Sequence, residues 1–136
     1  MKKTITKEFK FDSSHRLNDP TLSDEENKKI FGKCNNLPSH GHSYKLFVTV
    51  SGKEKNGMII NFTELKEIVN EWVINIFDHH FINDLDCMQG KITTAENIIS
   101  VIWELLNKLL QNKGITLEKL QIFETDSSSC SLERGR

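Results

Sequence analysis

Proline and glycine are scarce in this 136-residue chain, two and seven in number, which excludes collagen-like repeats and low-complexity linkers. Cysteine is scarcer than a stapled fold requires. Cys34, Cys87 and Cys130 are an odd number without Cys-x-x-Cys spacing, so neither a disulfide framework nor a thiolate zinc finger is encoded. No run approaches the ~20 apolar residues of a membrane-crossing helix, and Met1 to Glu8 lack the apolar core of a secretory signal, so a cytoplasmic protein is expected. Charge of one sign is also lacking: 18 Lys and Arg stand against 19 Asp and Glu, a formal net charge of −1. Nucleic acid and membrane partners are therefore not expected, and a phosphate-bearing ligand must be held by a local patch.

What is present is a globular composition, 37% hydrophobic and 27% charged, read as one domain over 1–136. A chain of this size buries roughly 68% of the surface its unfolded form exposes, enough for a core without staples. Residues 4–12 alternate, with Ile5, Phe9 and Phe11 on one parity, as a half-buried strand does. Leu17 to Lys33 is polar and reads as a long loop. Alternation returns from His40 to Ser51, placing His40, His42, Tyr44, Leu46, Val48 and Val50 on one face. Leu65, Ile68, Val69, Trp72, Val73, Ile76 and Phe77 then recur at helical spacing, with Asn61 or Thr63 available as N-cap. A second helix starts at Thr93 or Thr94, where Thr93 and Glu96 have capping-box spacing, and runs to Gly114. Strands are expected over 117–125 and 128–133. The order ββααββ points to an α+β fold, a four-stranded antiparallel sheet with two helices on one face.

His40 and His42 lie two apart on a strand, so their imidazoles leave the same face, and such a pair can share one metal. His15 keeps the parity of Phe9 and Phe11 and offers a third imidazole. Three nitrogens around zinc leave a fourth position open, as catalytic sites do; the alternative is a set of surface or hydrogen-bonded histidines. Cys34, six residues before His40, is either a base or nucleophile activated by a nearby cation or imidazole, or a small buried apolar residue. In Asp78-His79 a carboxylate can orient an imidazole, while His80 reads as a surface or packing residue. Glu124 shares the parity of Leu120 and Ile122, so it is either reserved for a ligand with adjacent N–H donors or solvated at the strand end.

The segments Phe11-Asp12-Ser13-Ser14-His15-Arg16-Leu17, Cys34 to Tyr44, Gly57 to Phe62, Asp78-His79, Thr93-Thr94-Ala95-Glu96-Asn97 and Phe123-Glu124-Thr125 resemble, in order and nearly end to end, those of the 6-pyruvoyl-tetrahydropterin synthase family. That family includes the bacterial 6-carboxy-tetrahydropterin synthases of queuosine biosynthesis. The resemblance implies the T-fold, whose subunits close a barrel as trimers and stack as a homohexamer. It implies Zn2+ at His15, His40 and His42, and 7,8-dihydroneopterin triphosphate as substrate. It further implies a pterin ring anchored by Glu124 with Thr93 and Thr94. Cys34 would be the proton carrier, assisted by Asp78 and His79 from a neighbouring subunit.

Ser13-Ser14 departs from the usual alanines, Ser43 from a frequent asparagine and Cys130 from an aliphatic residue. Five residues separate Cys34 from His40, as in pyruvoyl-forming members, where many carboxy-forming members have three. The leading expectation is a zinc lyase that releases triphosphate and forms 6-pyruvoyl-tetrahydropterin, the precursor type of tetrahydrobiopterin biosynthesis. The alternatives are a 6-carboxy-tetrahydropterin synthase, which also releases acetaldehyde, and a zinc-stabilised pterin-binding module without turnover.

Overall fold

Alternating side chains become a sheet when one parity is buried. In the computed structural model, which describes residues 1–135 and leaves Arg136, the last residue of the expected domain, outside the described residues, four strands do this. They are β1 (Ile5–His15), β2 (His40–Gly52), β3 (Ile115–Thr125) and β4 (Ser128–Glu133). All pairings are antiparallel, in the order β1-β2-β3-β4. Phe9 and Phe11 of β1, Tyr44, Leu46, Val48 and Val50 of β2, and Leu117, Leu120 and Ile122 of β3 are buried. Leu117 and Leu120 differ in parity, and both reach the core because a bulge opposite Thr49/Val50 inserts one extra residue into β3.

Two long helical segments between β2 and β3 cover this face. The first is α2 (Phe62–Val69), which widens to a π-helical stretch over Asn70–Ile74 and closes with the short α3 (Asn75–Phe77). Asn61 caps it, accepting from the Thr63 N–H. The wider turn moves the inward stripe one residue on. Val73 and Phe77 are therefore fully buried, whereas Trp72, expected on the apolar stripe, stays 42% exposed. The second is α4 (Ala95–Asn112), with Ile98, Ile102, Leu106 and Leu110 buried at four-residue spacing. Its cap is Thr94, whose hydroxyl accepts from the Asn97 N–H, so the expected Thr93–Glu96 box does not form. Gly114, at φ +76°, ends the run in a conformation open to glycine at little cost. No helix among the described residues is long and apolar enough to cross a membrane.

Some boundaries differ from expectation, and β3 begins at Ile115, two residues before the expected 117. β1 continues past residue 12 to His15, because Ser13 and His15 still pair with His42 and His40. The stretch 17–33, expected as loop, contains α1 (Asp24–Phe31), started by a full capping box between Ser23 and Glu26. Asn27, the one buried residue of α1, ties it down by accepting from the Asp19 N–H and donating to the Asp19 and Ser23 carbonyls.

Candidate active site

Antiparallel register places the three histidines. His15 ends β1 opposite His40, which begins β2, and His42 lies opposite Ser13. Their ring centroids are 4.5, 4.9 and 5.1 Å apart, and one nitrogen of each lies within 4.8 Å of the others. The Nε2 atoms of all three are buried without a hydrogen-bond partner. Buried polar atoms are almost always satisfied, so three converging orphan nitrogens fit a shared cation.

The tautomer supports that fit. His15 Nδ1 stands 2.7 Å from the Thr93 carbonyl; a carbonyl only accepts, so Nδ1 carries the proton and the Nε2 lone pair faces His40 and His42. Burial holds the His15 imidazole below its ordinary pKa, against the opposing pull of the Thr93 carbonyl and Glu124. Burial likewise lowers His42, which Glu124 partly offsets. Neutral imidazoles are the ligand form. Beneath them Tyr44 stacks on Phe11 at 4.9 Å, and burial pushes its phenol up, so the ring stays neutral.

Glu124 sits at a second bulge, where pairing with β4 jumps between Phe123 and Thr125. Its Oε1 stands 3.4 Å from His42 Nε2, outside hydrogen-bond geometry, and its side chain is 26% exposed. The carboxylate therefore faces the histidine group and keeps acceptor capacity. Glu124, Thr94, Ala95 and Glu96 line one cleft of about 510 Å³ with Ile30, Phe31 and Cys130, a volume suited to a small molecule. The α1 residues Ile30 and Phe31 are members that reading the sequence did not single out. Thr93 is elsewhere: 1% exposed, with its hydroxyl 3.3 Å from both the Arg16 carbonyl and Asn83 Oδ1, it meets the site through the carbonyl on His15. Cys34 lies in a 3₁₀ turn over Gly32–Asn35 and is half-buried. Its carbonyl accepts from the Leu17 N–H at 2.9 Å, tying the turn to the chain just beyond His15. Its thiol does not complete the group of three nitrogens.

Asp78 and His79 form a second group, with Asp12 and not with the histidines. They lie at the outer edge of β1. Asp78 Oδ2 stands 2.9 Å from His79 Nδ1. Hydrogen bonds from the Asp12 N–H and from His79 hold Asp78 below the usual carboxylate range, and Asp78 holds His79 above its ordinary value. His80 is exposed, with Nδ1 on the Asp78 carbonyl. The other two cysteines, Cys87 and Cys130, are half-buried and pushed up by burial.

A family model described as 6-pyruvoyl tetrahydropterin synthase matches residues 4–135. The chain belongs to this family. It is 45% identical over 127 residues to the 6-pyruvoyl tetrahydrobiopterin synthase of Dictyostelium discoideum, covering 91% of this chain and 90% of that one. It is 32% identical to the 6-carboxy-5,6,7,8-tetrahydropterin synthase of Haemophilus influenzae, covering 95% and 97%. The solved 6-pyruvoyl tetrahydropterin synthase of Caenorhabditis elegans superimposes with a TM-score of 0.90 at 30% identity, over 99% of this chain and 97% of that one. The four-stranded antiparallel sheet with its two long helices is thus the fold of the pterin synthase family.

Proposed function

We propose that this family member is a zinc-dependent lyase converting 7,8-dihydroneopterin triphosphate to 6-pyruvoyl-tetrahydropterin with release of triphosphate. The observation that carries the reading is the set of three buried, convergent and unpartnered Nε2 atoms of His15, His40 and His42, set beside a cleft whose carboxylate, Glu124, has spare acceptor capacity. The three imidazoles would hold Zn2+, and zinc there supplies a Lewis acid that polarises the substrate's side-chain oxygens and makes the neighbouring C–H more acidic. Glu124 accepts the ring N–H donors of the pterin and fixes its orientation, with Thr94 at the cleft wall. Thr93 contributes by keeping His15 in the right tautomer. Cys34 takes and returns the proton at the side-chain carbon, and Asp78, which raises the His79 pKa, favours that imidazole as the partner acid.

The placement of Asp78 and His79 on the outer edge of β1, apart from their own chain's histidines, supports their service to another copy's site. The paired ends of the sheet favour such an assembly: β1 and β4 are its outer strands, and closing three sheets edge to edge removes both exposed edges. A homohexamer of two trimers is the proposed state, measurable by native mass spectrometry. The 45% identity to a pyruvoyl-forming relative against 32% to a carboxy-forming one favours the pyruvoyl product. Mass spectrometry of the products from dihydroneopterin triphosphate tests this: 6-pyruvoyl-tetrahydropterin is expected. 6-Carboxy-tetrahydropterin with acetaldehyde overturns the product assignment, and no turnover by the zinc-loaded protein overturns the enzyme.

A further inference from the structure

Asp12 has no part in the reaction outlined above, yet its backbone bonds both members of the Asp78–His79 pair. Its N–H donates to Asp78 Oδ1 at 2.9 Å, and its carbonyl accepts from the His79 N–H at 2.6 Å. One β1 residue thus grips both members of the pair through its backbone. Its side chain adds a third hold. A carboxylate oxygen of Asp12 lies within 4.8 Å of a His79 ring nitrogen and of an Asp78 carboxylate oxygen. That carboxylate does not swing freely, because Ser43 Oγ, from the opposing rung of β2, donates to Asp12 Oδ1 at 2.6 Å. His79 itself sits at φ +56°, a conformation that a non-glycine residue holds only when its surroundings impose it. The bond from the His79 N–H to the Asp12 carbonyl, with that from the Asp12 N–H to the Asp78 carboxylate beside it, supplies that restraint.

We propose that Asp12 is a positioning residue for the Asp78–His79 pair, its backbone fixing both residues and its Ser43-anchored carboxylate serving as a second anionic neighbour of the His79 ring. The inference rests on reading that pair as proton carriers. Asp78 stands 2.9 Å from the His79 ring, Asp12 lies within 4.8 Å of it, and His80 of its own segment and His42 of β2 are the other titratable groups lining the cleft that Asp12 and His79 share. Two carboxylates against one imidazole favour the imidazolium, and Asp12 adds to the upward pull of Asp78.

Asp12→Asn isolates the charge, since the amide oxygen can still accept from Ser43 and the backbone bonds are unchanged. Titration of the His79 ring by NMR, assigned with His79→Ala, is expected to show its midpoint falling by about half a pH unit, as a screened charge at 4–5 Å gives. Asp12→Glu should restore it. The limb of the kcat–pH profile set by His79 should move by the same amount while KM stays unchanged. An unshifted midpoint in an Asp12→Asn protein that melts like the wild type overturns the role of Asp12. Full turnover by His79→Ala overturns instead the reading of the pair as proton carriers, and the NMR midpoint decides Asp12 without reference to turnover.

Discussion

The histidine group on the inner face of the sheet and the Asp12–Asp78–His79 corner on its outer edge use the same side-chain chemistry to opposite ends. In the first, burial lowers His15 and His42 and leaves three nitrogens unpartnered. In the second, Asp78 and, more weakly, Asp12 raise His79, whose ring nitrogen meets the Asp78 carboxylate at 2.9 Å. Environment alone thus pushes imidazoles toward the neutral form in one place and toward the charged form in the other. The difference is testable from both sides.

The largest effect should come from His40→Ala, which leaves two of three nitrogens. Zinc affinity is expected to fall by more than about a hundredfold, beyond the scale of losing an outer partner alone, with turnover lost alongside; full zinc occupancy by metal analysis would contradict the inner-face assignment. Cys34→Ala comes next. It should cut turnover by about 10²- to 10⁴-fold, the range of general acid–base contributions, while zinc content and pterin binding stay near wild type. An emptied metal site would make Cys34 a fourth member of the inner group. Glu124→Gln replaces an acceptor by an NH₂ facing ring donors. Pterin affinity by calorimetry should drop about ten- to a hundredfold, or ~1.5–3 kcal/mol, at unchanged zinc content and melting temperature; unaltered affinity would return Glu124 to a solvated strand end.

The smallest effect is the most pointed, because the two regions should push stability in opposite directions with pH. His79 has its pKa raised on folding, so its contribution is full below about 6.5, the unfolded value, and is lost as pH rises through the raised one. His15 and His42 are lowered on folding. Without metal, the unfolded chain takes up their protons first as pH falls below about 6.5, and stability declines there. Melting curves of metal-free protein between pH 5 and 8 should show both slopes, and His79→Ala should remove only the loss on the alkaline side.

Alternation and helical spacing read the sheet and both long helices correctly from side chains alone, and parity brought His15, His40 and His42 to one face. What escaped was carried by polar or backbone groups. α1 has no apolar stripe, since Asn27 is its sole buried residue, so periodicity was silent although Ser23 and Glu26 spelled out its cap. Thr93 matters to His15 through its carbonyl, which every residue possesses. Asp12 grips the outer corner chiefly through its peptide groups, invisible to any pattern of side chains. The bulge that admits both Leu117 and Leu120 to the core breaks period two where a strict reading must keep it.

The segment that carries Asp78 and His79 also works as an end-stop. Its groups occupy the outward edge of β1 at Asp12 and Ser14, the latter donating from its N–H to the His80 carbonyl at 3.1 Å. In an antiparallel strand the outward peptide groups recur at every second residue, so the rungs still open toward a further strand are those of Thr6, Glu8 and Lys10. A neighbour zipping along this edge can advance three rungs and must then halt. Since a slip of one residue would exchange the faces of that neighbour, a fixed stopping point acts as a ruler, setting the phase at which one sheet can join the next.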